Sequence, residues 1–90
     1  MQLREQAKLI KAALAQERVS ADALSGLIKI EMDGNQELLS LVIDPQLMTP
    51  DNKPRLEIGI QEATNSAIKK SQQLMASKMQ SMTGLNIPGL

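Results

Sequence analysis

The side chains that could carry out chemistry in this 90-residue chain are serines, carboxylates and lysines, because the sequence contains neither histidine nor cysteine. Histidine is the usual general base near neutral pH, and the cysteine thiolate is a common nucleophile and metal ligand. Ser20, Ser25 and Ser40 therefore have no histidine to activate them. This set of residue types argues against an enzyme, and we expect no catalytic residues and no cofactor.

Two aspartates invite a metal-binding interpretation, but each stands where aspartate has an ordinary structural task. Asp33 precedes Gly34, and Asp44 precedes Pro45. Aspartates at such positions commonly accept hydrogen bonds from the backbone of a turn. We therefore expect no metal site and no small-molecule substrate.

Basic and acidic side chains are sorted along the chain, although the net charge is zero. Residues 1–18 carry four basic and two acidic side chains, and residues 63–90 carry three lysines and no acid. Residues 19–62 carry three basic and eight acidic side chains. Zero net charge taken alone argues against a nucleic-acid binder. The sorting nevertheless predicts a molecule with basic ends and an acidic middle.

The chain is long enough for one domain, and its core must be built without Phe, Tyr or Trp. Leu, Ile, Val, Ala and six Met remain, so the core is thin and a partner chain would help to cover it. No apolar run approaches the roughly 20 residues that a membrane helix needs, and the N-terminus is polar from its start. We expect a soluble, cytoplasmic protein that does not bind a membrane.

Apolar spacing predicts a helix followed by antiparallel strands. Leu3, Ala7, Ile10 and Leu14 recur at helical intervals, which predicts a helix from about Gln2 to Gln16. Residues 28–32 alternate as in a half-buried strand, and Asp33-Gly34 supplies residues that tolerate positive φ in a tight hairpin. Residues 38–43 form the second hairpin strand, and residues 17–21 are a weaker candidate for a third.

The strand over residues 38–43 is apolar on both of its predicted faces. Strict alternation would place Leu39, Leu41 and Ile43 on one face, and Leu38, Ser40 and Val42 on the other. A hairpin strand in a monomer usually leaves one face wet. A second apolar face therefore indicates cover by a twin subunit.

A long C-terminal helix is predicted to begin between Asp51 and Pro54 and to run to about Ser81, which is about 40 Å. A seven-residue strand spans only about 23 Å, so this helix should overshoot the sheet, and we expect Lys69, Lys70 and Lys78 on the overhang. Its methionines at positions 75, 79 and 82 are more typical of a core or dimer seam than of an adaptable partner-binding surface. The organisation is α+β, with one domain over residues 1–82 and a flexible tail over residues 83–90.

Several local signatures occur in an order that resembles one family of small bacterial proteins. The strand and hairpin signature of this family is similar to Gly26-Leu27-Ile28-Lys29-Ile30-Glu31-Met32-Asp33-Gly34. Its second signature is similar to Ile43-Asp44-Pro45 followed by Leu47. Asn65-Ser66-Ala67 with Lys69-Lys70, Lys78-Met79 before Thr83-Gly84, and Ile87-Pro88-Gly89 fit its last helix and tail. The chain thus resembles the YbaB/EbfC family of nucleoid-associated proteins over nearly its whole length.

The resemblance implies an α-β-β-β-α fold with a three-stranded antiparallel sheet, and a tweezers-like homodimer with helical arms. It also implies a cytoplasmic, nucleoid-associated protein that grips double-stranded DNA with little or modest sequence preference and can affect nucleoid organisation or gene expression. Phosphate contacts would then come from the basic ends of the chain, with Arg4, Lys8, Lys11, Lys69, Lys70 and Lys78 as candidates. The expected dimer interface includes Leu38, Val42, Met75 and Met79.

A second hypothesis belongs to a different functional class. In it, the paired helices clasp a helix of a partner protein, and the zero net charge reflects the absence of a role with DNA. Lysines on amphipathic helices ordinarily form a solvated face, which is the alternative to a binding surface.

Overall fold

The computed structural model describes the backbone of residues 2–84 and the side chains of residue 5 and residues 7–81. Its elements are α1 (Gln2–Ala15), β1 (Arg18–Ala23), β2 (Ile28–Asp33), β3 (Leu38–Ile43), two single 3₁₀ turns (Pro45–Leu47 and Pro50–Asn52) and α2 (Lys53–Gly84). The strands form one antiparallel sheet in the order β1-β2-β3. The predicted α-β-β-β-α architecture is confirmed, including the third strand that the sequence indicated only weakly.

One face of α2 packs across β1 and β2 through small residues that recur every four positions. Gly59, Ala63, Ala67 and Ser71 are buried along this stripe. A Cβ atom at Gly59 would lie only 2.5 Å from Ile28 Cδ1 and 2.9 Å from a Leu24 methyl. Small side chains thus let the helix approach the sheet closely, which compensates for the absence of aromatic rings in the core.

The turn between β2 and β3 differs from the predicted one in the role of its glycine. The left-handed residue of this turn is Gln36, with a φ of 65°, and Gly34 is not among the residues with positive φ. Gly34 instead lies against α1, where an added Cβ would meet Leu14 O at 2.9 Å and Leu14 Cδ2 at 2.8 Å. Close approach of two backbones, rather than positive φ, therefore requires glycine here.

The predicted assignment of faces in β3 is wrong for Leu38. The register shifts between Glu31 and Met32: Ser40 pairs with Glu31, whereas Leu38 pairs with Met32. Paired residues share a face, so Leu38 lies with Leu41 on the face that α2 packs against, and not with Ser40 and Val42. A β-bulge inserts one extra residue into a strand, which ends the strict alternation that the sequence predicted.

α2 overshoots the sheet as predicted, but the overhang begins later than expected. Its 32 residues are about 48 Å long, and the molecule measures 58 Å along its longest axis. Lys70 and Ser71 still contact strand backbone, so the turn with Lys69 and Lys70 lies at the sheet, and Lys78 lies beyond it. The helix also continues through Gly84 instead of ending near Ser81, and residues 85–90 of the predicted tail lie outside the described part.

No helix within residues 2–84 is long and apolar enough to span a lipid bilayer.

Candidate nucleic-acid interface

Three hydrogen bonds join α1 and α2 to the same end of the sheet. The amide of Gly34 donates to Leu14 O at 2.9 Å, and the side-chain amide of Asn35 donates to Lys11 O at 2.9 Å. On the other helix, the hydroxyl of Ser71 donates to Asp33 O at 2.9 Å, and this serine is wholly buried. Both helices therefore extend from the end of the sheet where β1 begins and β2 ends.

The carboxylates of the two aspartates considered for metal binding accept hydrogen bonds from backbone amides. The Asp33 carboxylate accepts from the amides of Asn35 at 2.8 Å and Glu37 at 3.0 Å, and Asp44 accepts from the amide of Gln46 at 2.9 Å. These are the turn and cap roles that the sequence indicated. Among the described residues, no group of three or more potential metal ligands comes together.

The basic candidates on α1 are exposed. Lys8 and Lys11 are exposed, and their spacing of three residues places them on one side of the helix. The side chain of Arg4, the third basic candidate on this helix, lies outside the described side chains. The described part of α1 thus offers two lysine ammonium groups to solvent on one surface.

The three lysines of α2 are not equivalent, although the sequence treats them alike. Lys69 is exposed. Lys70 donates to the backbone carbonyl of Ser20 at 2.6 Å, and Lys78 forms an ion pair with Glu17 at 2.8 Å. A carboxylate neutralises a lysine, whereas a neutral carbonyl leaves its charge in place. Lys78 is therefore the candidate whose charge is already compensated.

Sequence reasoning could not find the partners of these lysines. Glu17 and Ser20 lie 61 and 50 residues away from Lys78 and Lys70, and no periodic pattern links such positions. It also left Arg18 out of the candidates, and the structure gives Arg18 a structural task. Its guanidinium donates to Ala15 O at 2.9 Å, which satisfies a carbonyl at the end of α1.

The basic residues at the beginning of α2 lie away from the end of the sheet where β1 begins and β2 ends. Lys53 faces Glu57 one turn on, at 3.7 Å, and Arg55 donates to the side chain of Asn52 at 3.2 Å. Asp44 and Asp51 lie in the segment that leads into this first turn. The beginning of α2 therefore has mixed charges, in contrast to the lysine-bearing helices at the opposite end of the sheet.

β3 exposes apolar side chains on both faces. Leu38 is 49% exposed and Val42 is 55% exposed, and they lie on opposite faces because Leu38 pairs with Met32 and Val42 with Lys29. Of the other predicted interface residues, Met79 is 45% exposed and Met75 is half-buried. Packing by α2 covers β1 and β2, so β3 keeps an uncovered apolar surface.

An open depression of about 350 Å³ lies on the sheet face opposite α2. Two of its lining side chains are acidic and one is basic: Asp22, Glu31 and Lys29. A phosphate-binding surface needs an excess of positive charge, so the basic helices are a better candidate for this chemistry than the depression.

Comparisons with known proteins match the sequence of this chain over both helices and the sheet. The model of the YbaB/EbfC DNA-binding family matches residues 1–86. A nucleoid-associated protein of Thermoanaerobacter pseudethanolicus is 37% identical over 90 residues, which cover 99% of this chain and 81% of that protein. A nucleoid-associated protein of Synechocystis is 36% identical over 90 residues, covering 99% of this chain and 78% of the relative.

A solved structure shares the fold. The crystal structure of an uncharacterized protein from Helicobacter pylori aligns with a TM-score of 0.75 and covers 89% of this chain and 93% of its own, at 18% identity. The family model includes every described element, and the relatives above are matched over most of their own length. This chain therefore belongs to the YbaB/EbfC DNA-binding family.

Proposed function

We propose that this protein is a non-enzymatic, nucleoid-associated protein that grips double-stranded DNA as a homodimer, through phosphate contacts from its two helices. Its membership of a DNA-binding family supports the choice of partner. The observation that carries the proposal is the position of Lys8, Lys11 and Lys69, which are exposed on helices that extend from one end of the sheet.

Lysine suits a contact to phosphate more than the recognition of bases. Its ammonium is a compact charge on a flexible stem, without the planar fork that lets arginine bind guanine with two hydrogen bonds. Contacts to phosphate position a protein on the duplex and carry no direct sequence information. The proposal therefore includes little or modest sequence preference, and with it a general effect on nucleoid organisation or gene expression.

The acidic residues would orient the protein on DNA. Three acidic residues lie at one end of the sheet and of α2: Asp44, Asp51 and Glu57. The hydrogen bond between Ser71 and Asp33 lies at the opposite end of the sheet. Lys53 and Arg55 lie beside the three carboxylates and leave only a small negative excess at their end. The phosphate backbone therefore attracts this end less than it attracts the lysine-bearing end. A molecule with zero net charge can bind a polyanion in this way, provided that its charges are separated in space.

The homodimer is proposed on the apolar surface of β3. Leu38 and Val42 lie on opposite faces of this edge strand, and Leu41 is exposed as well. A second copy that surrounds the edge would cover both faces, and the same surface on both copies would make a symmetric interface. Met75 and Met79 on α2 complete the proposed seam.

Fluorescence anisotropy with a short labelled duplex at two salt concentrations tests the DNA-binding part. We expect the double variant Lys8→Gln/Lys11→Gln to weaken binding and to reduce its salt dependence. The matched control, Lys53→Gln/Arg55→Gln, removes the same charge from the opposite end and should bind like the parent protein. Competition with unlabelled duplexes of different sequence then measures the preference.

Three results would contradict the proposal. Equal losses in the two double variants would assign binding to net charge rather than to the helices. Binding that does not respond to salt would contradict phosphate contacts. Absence of binding at low salt would favour the second hypothesis, in which the paired helices clasp a helix of a partner protein.

A further inference from the structure

The ion pair between Glu17 and Lys78 connects the start of β1 to the overhang of α2. Its Oε1 to Nζ distance is 2.8 Å, and the two side chains are 36% and 34% exposed. The Lys53–Glu57 pair is 3.7 Å long with side chains 74% and 63% exposed, and the Arg18–Glu31 pair is 4.0 Å long. Among the ion pairs of the described side chains, Glu17–Lys78 is therefore the shortest and the most shielded.

This ion pair places a carboxylate on a lysine of the proposed DNA-binding surface. A carboxylate and a phosphate offer a lysine the same chemistry, since both present anionic oxygens that accept charge-assisted hydrogen bonds. Lys78 cannot bind a phosphate at full strength while Glu17 holds its charge. Both side chains are about one-third exposed, so solvent and a DNA backbone can reach the pair.

We propose that Glu17 competes with DNA phosphate for Lys78 and so holds the DNA affinity of this protein below the value that its lysines would otherwise give. This inference rests on the proposed function, because it assumes that the helices bind DNA. Its new element is the assignment of a role in binding to an acidic residue, which lowers affinity instead of raising it.

Ion release gives the proposal a measurable signature. When an unpaired lysine binds a phosphate, a counterion leaves the DNA, and the logarithm of the affinity falls with the logarithm of salt concentration by about 0.9 for each contact. When Lys78 exchanges Glu17 for a phosphate, the freed carboxylate takes up a cation from solution. The exchange therefore adds almost nothing to the salt dependence of the parent protein.

Lys70 differs from Lys78 in this respect, although both contact the segment around β1. Its partner is the neutral backbone carbonyl of Ser20, which leaves the ammonium charge uncompensated. Lys70 can still attract a phosphate at a distance. Of these two lysines, the competition therefore concerns only Lys78, which has a carboxylate partner.

The experiment measures DNA affinity against salt for Glu17→Gln, Lys78→Gln and the double variant. Surface ion pairs of this kind are worth a few tenths to one kcal/mol each, and a dimer has two of them, so we expect Glu17→Gln to raise the low-salt affinity of a dimer by about three- to thirtyfold. Its salt slope should steepen by about 0.9 for each arm that contacts DNA. Lys78→Gln alone should lose less than about twofold, and Glu17→Gln should bring no gain in the Lys78→Gln background.

Glu57→Gln is the matched control. It also removes a carboxylate from a lysine and raises the net charge by the same amount, but the pair concerned lies in the first turn of α2. Its affinity should stay within about twofold of the parent value, because Lys53 lies away from the proposed contacts. An equal gain in this control would show a general charge effect and overturn the proposal.

The remaining outcomes separate the inference from the function on which it rests. If the parent protein binds DNA but Glu17→Gln brings no gain, the competition is wrong and the proposed function stands. A gain that persists in the Lys78→Gln background would also overturn it, since Glu17 would then act through something other than Lys78. Failure of the parent protein to bind DNA at low salt would contradict both the proposed function and the competition. The result for Lys78→Gln does not depend on the folding of the Glu17 variant, and a large loss there would contradict the competition independently.

Discussion

The amide of Gly34 donates a hydrogen bond to the carbonyl of Leu14 at 2.9 Å, which joins the last turn of α1 directly to the turn between β2 and β3. Leu14 is itself 2% exposed. The contact thus connects two segments whose backbones approach closely, and it fixes where α1 leaves the sheet. Because α1 carries Lys8 and Lys11, the position of this glycine also sets the position of two proposed DNA contacts.

Replacement of this glycine should destabilise the fold. In Gly34→Ala the new methyl group would lie 2.8 Å from Leu14 Cδ2 and 2.9 Å from Leu14 O. The side chain can rotate away, but the carbonyl is held by its hydrogen bond, so we expect a loss of about 1–3 kcal/mol in the free energy of unfolding. Urea denaturation followed by circular dichroism measures it. An unchanged midpoint would mean that the two backbones separate easily.

A second change in the same turn should have the opposite sign. Gln36 adopts a φ of 65°, which is costly for a residue with a Cβ atom and easy for glycine. Gln36→Gly should therefore raise the free energy of unfolding slightly, by up to ~1 kcal/mol after the entropy cost of glycine in the unfolded chain. The same urea titration checks this, and a loss of stability would contradict the assigned backbone conformation.

The buried hydroxyl of Ser71 should matter for stability. It donates to Asp33 O at 2.9 Å and has no exposed surface, so Ser71→Ala should cost about 1 kcal/mol in the free energy of unfolding. Ser77→Ala makes the same chemical change on an exposed part of α2 and should be neutral or slightly stabilising, because alanine favours helices. Equal changes in the free energy of unfolding of the two variants would show that the Ser71 hydrogen bond makes no specific contribution to stability.

Substitutions at Lys69 and Lys70 should distinguish an effect on DNA affinity from an effect on the stability of the fold. Lys69→Gln removes an exposed charge, so we expect weaker DNA binding, a salt slope smaller by about 0.9 for each lost contact, and an unchanged melting temperature. Lys70→Gln also removes a hydrogen bond to Ser20 O, and its melting temperature should fall as well. Anisotropy and thermal melts on the same samples provide the comparison. Identical melting temperatures would contradict the contact of Lys70.

Val42→Glu should disrupt the proposed dimer while leaving the protomer folded. Val42 pairs with Lys29 across the sheet, so a glutamate there gains an opposite charge within the protomer, whereas a second copy would have to bury that charge. Analytical ultracentrifugation should show a shift from dimer to monomer. Leu9→Glu is the control, because Leu9 is 61% exposed on α1 and away from β3; this variant should remain dimeric. A dimeric Val42→Glu protein would place the interface elsewhere.

Local patterns in the sequence clearly predicted both helices and two of the three strands, and indicated β1 only weakly. Both helices and the strands over residues 28–33 and 38–43 follow from apolar periodicity, which depends on near neighbours alone. The bulge that moves Leu38 to the other face has no such signal, because it depends on how β3 meets β2. The role of Gly34 could not be predicted either, since the clash that excludes a Cβ atom comes from Leu14 on another element.

The candidate site shows the same division between local and distant information. Sorting of charge along the chain predicted which segments are basic, and Lys8, Lys11 and Lys69 are exposed in the structure. The partners of Lys70 and Lys78 lie on or next to β1, and only the three-dimensional arrangement of α2 and β1 places them together. For this reason the sequence could not distinguish a lysine that is available to phosphate from one whose charge is compensated.

The two edges of the sheet are unequal. The Lys70 ammonium donates a hydrogen bond to the backbone of β1, whereas the other described lysine contacts, those of Lys53 and Lys78, are to glutamates outside β3. A bare strand edge invites further strands, and a lysine held against it blocks their approach. A sheet that is closed on one side and open on the other can accept one identical molecule, after which both outer edges are guarded. In the proposed homodimer, this arrangement would oppose the growth of the sheet into fibres.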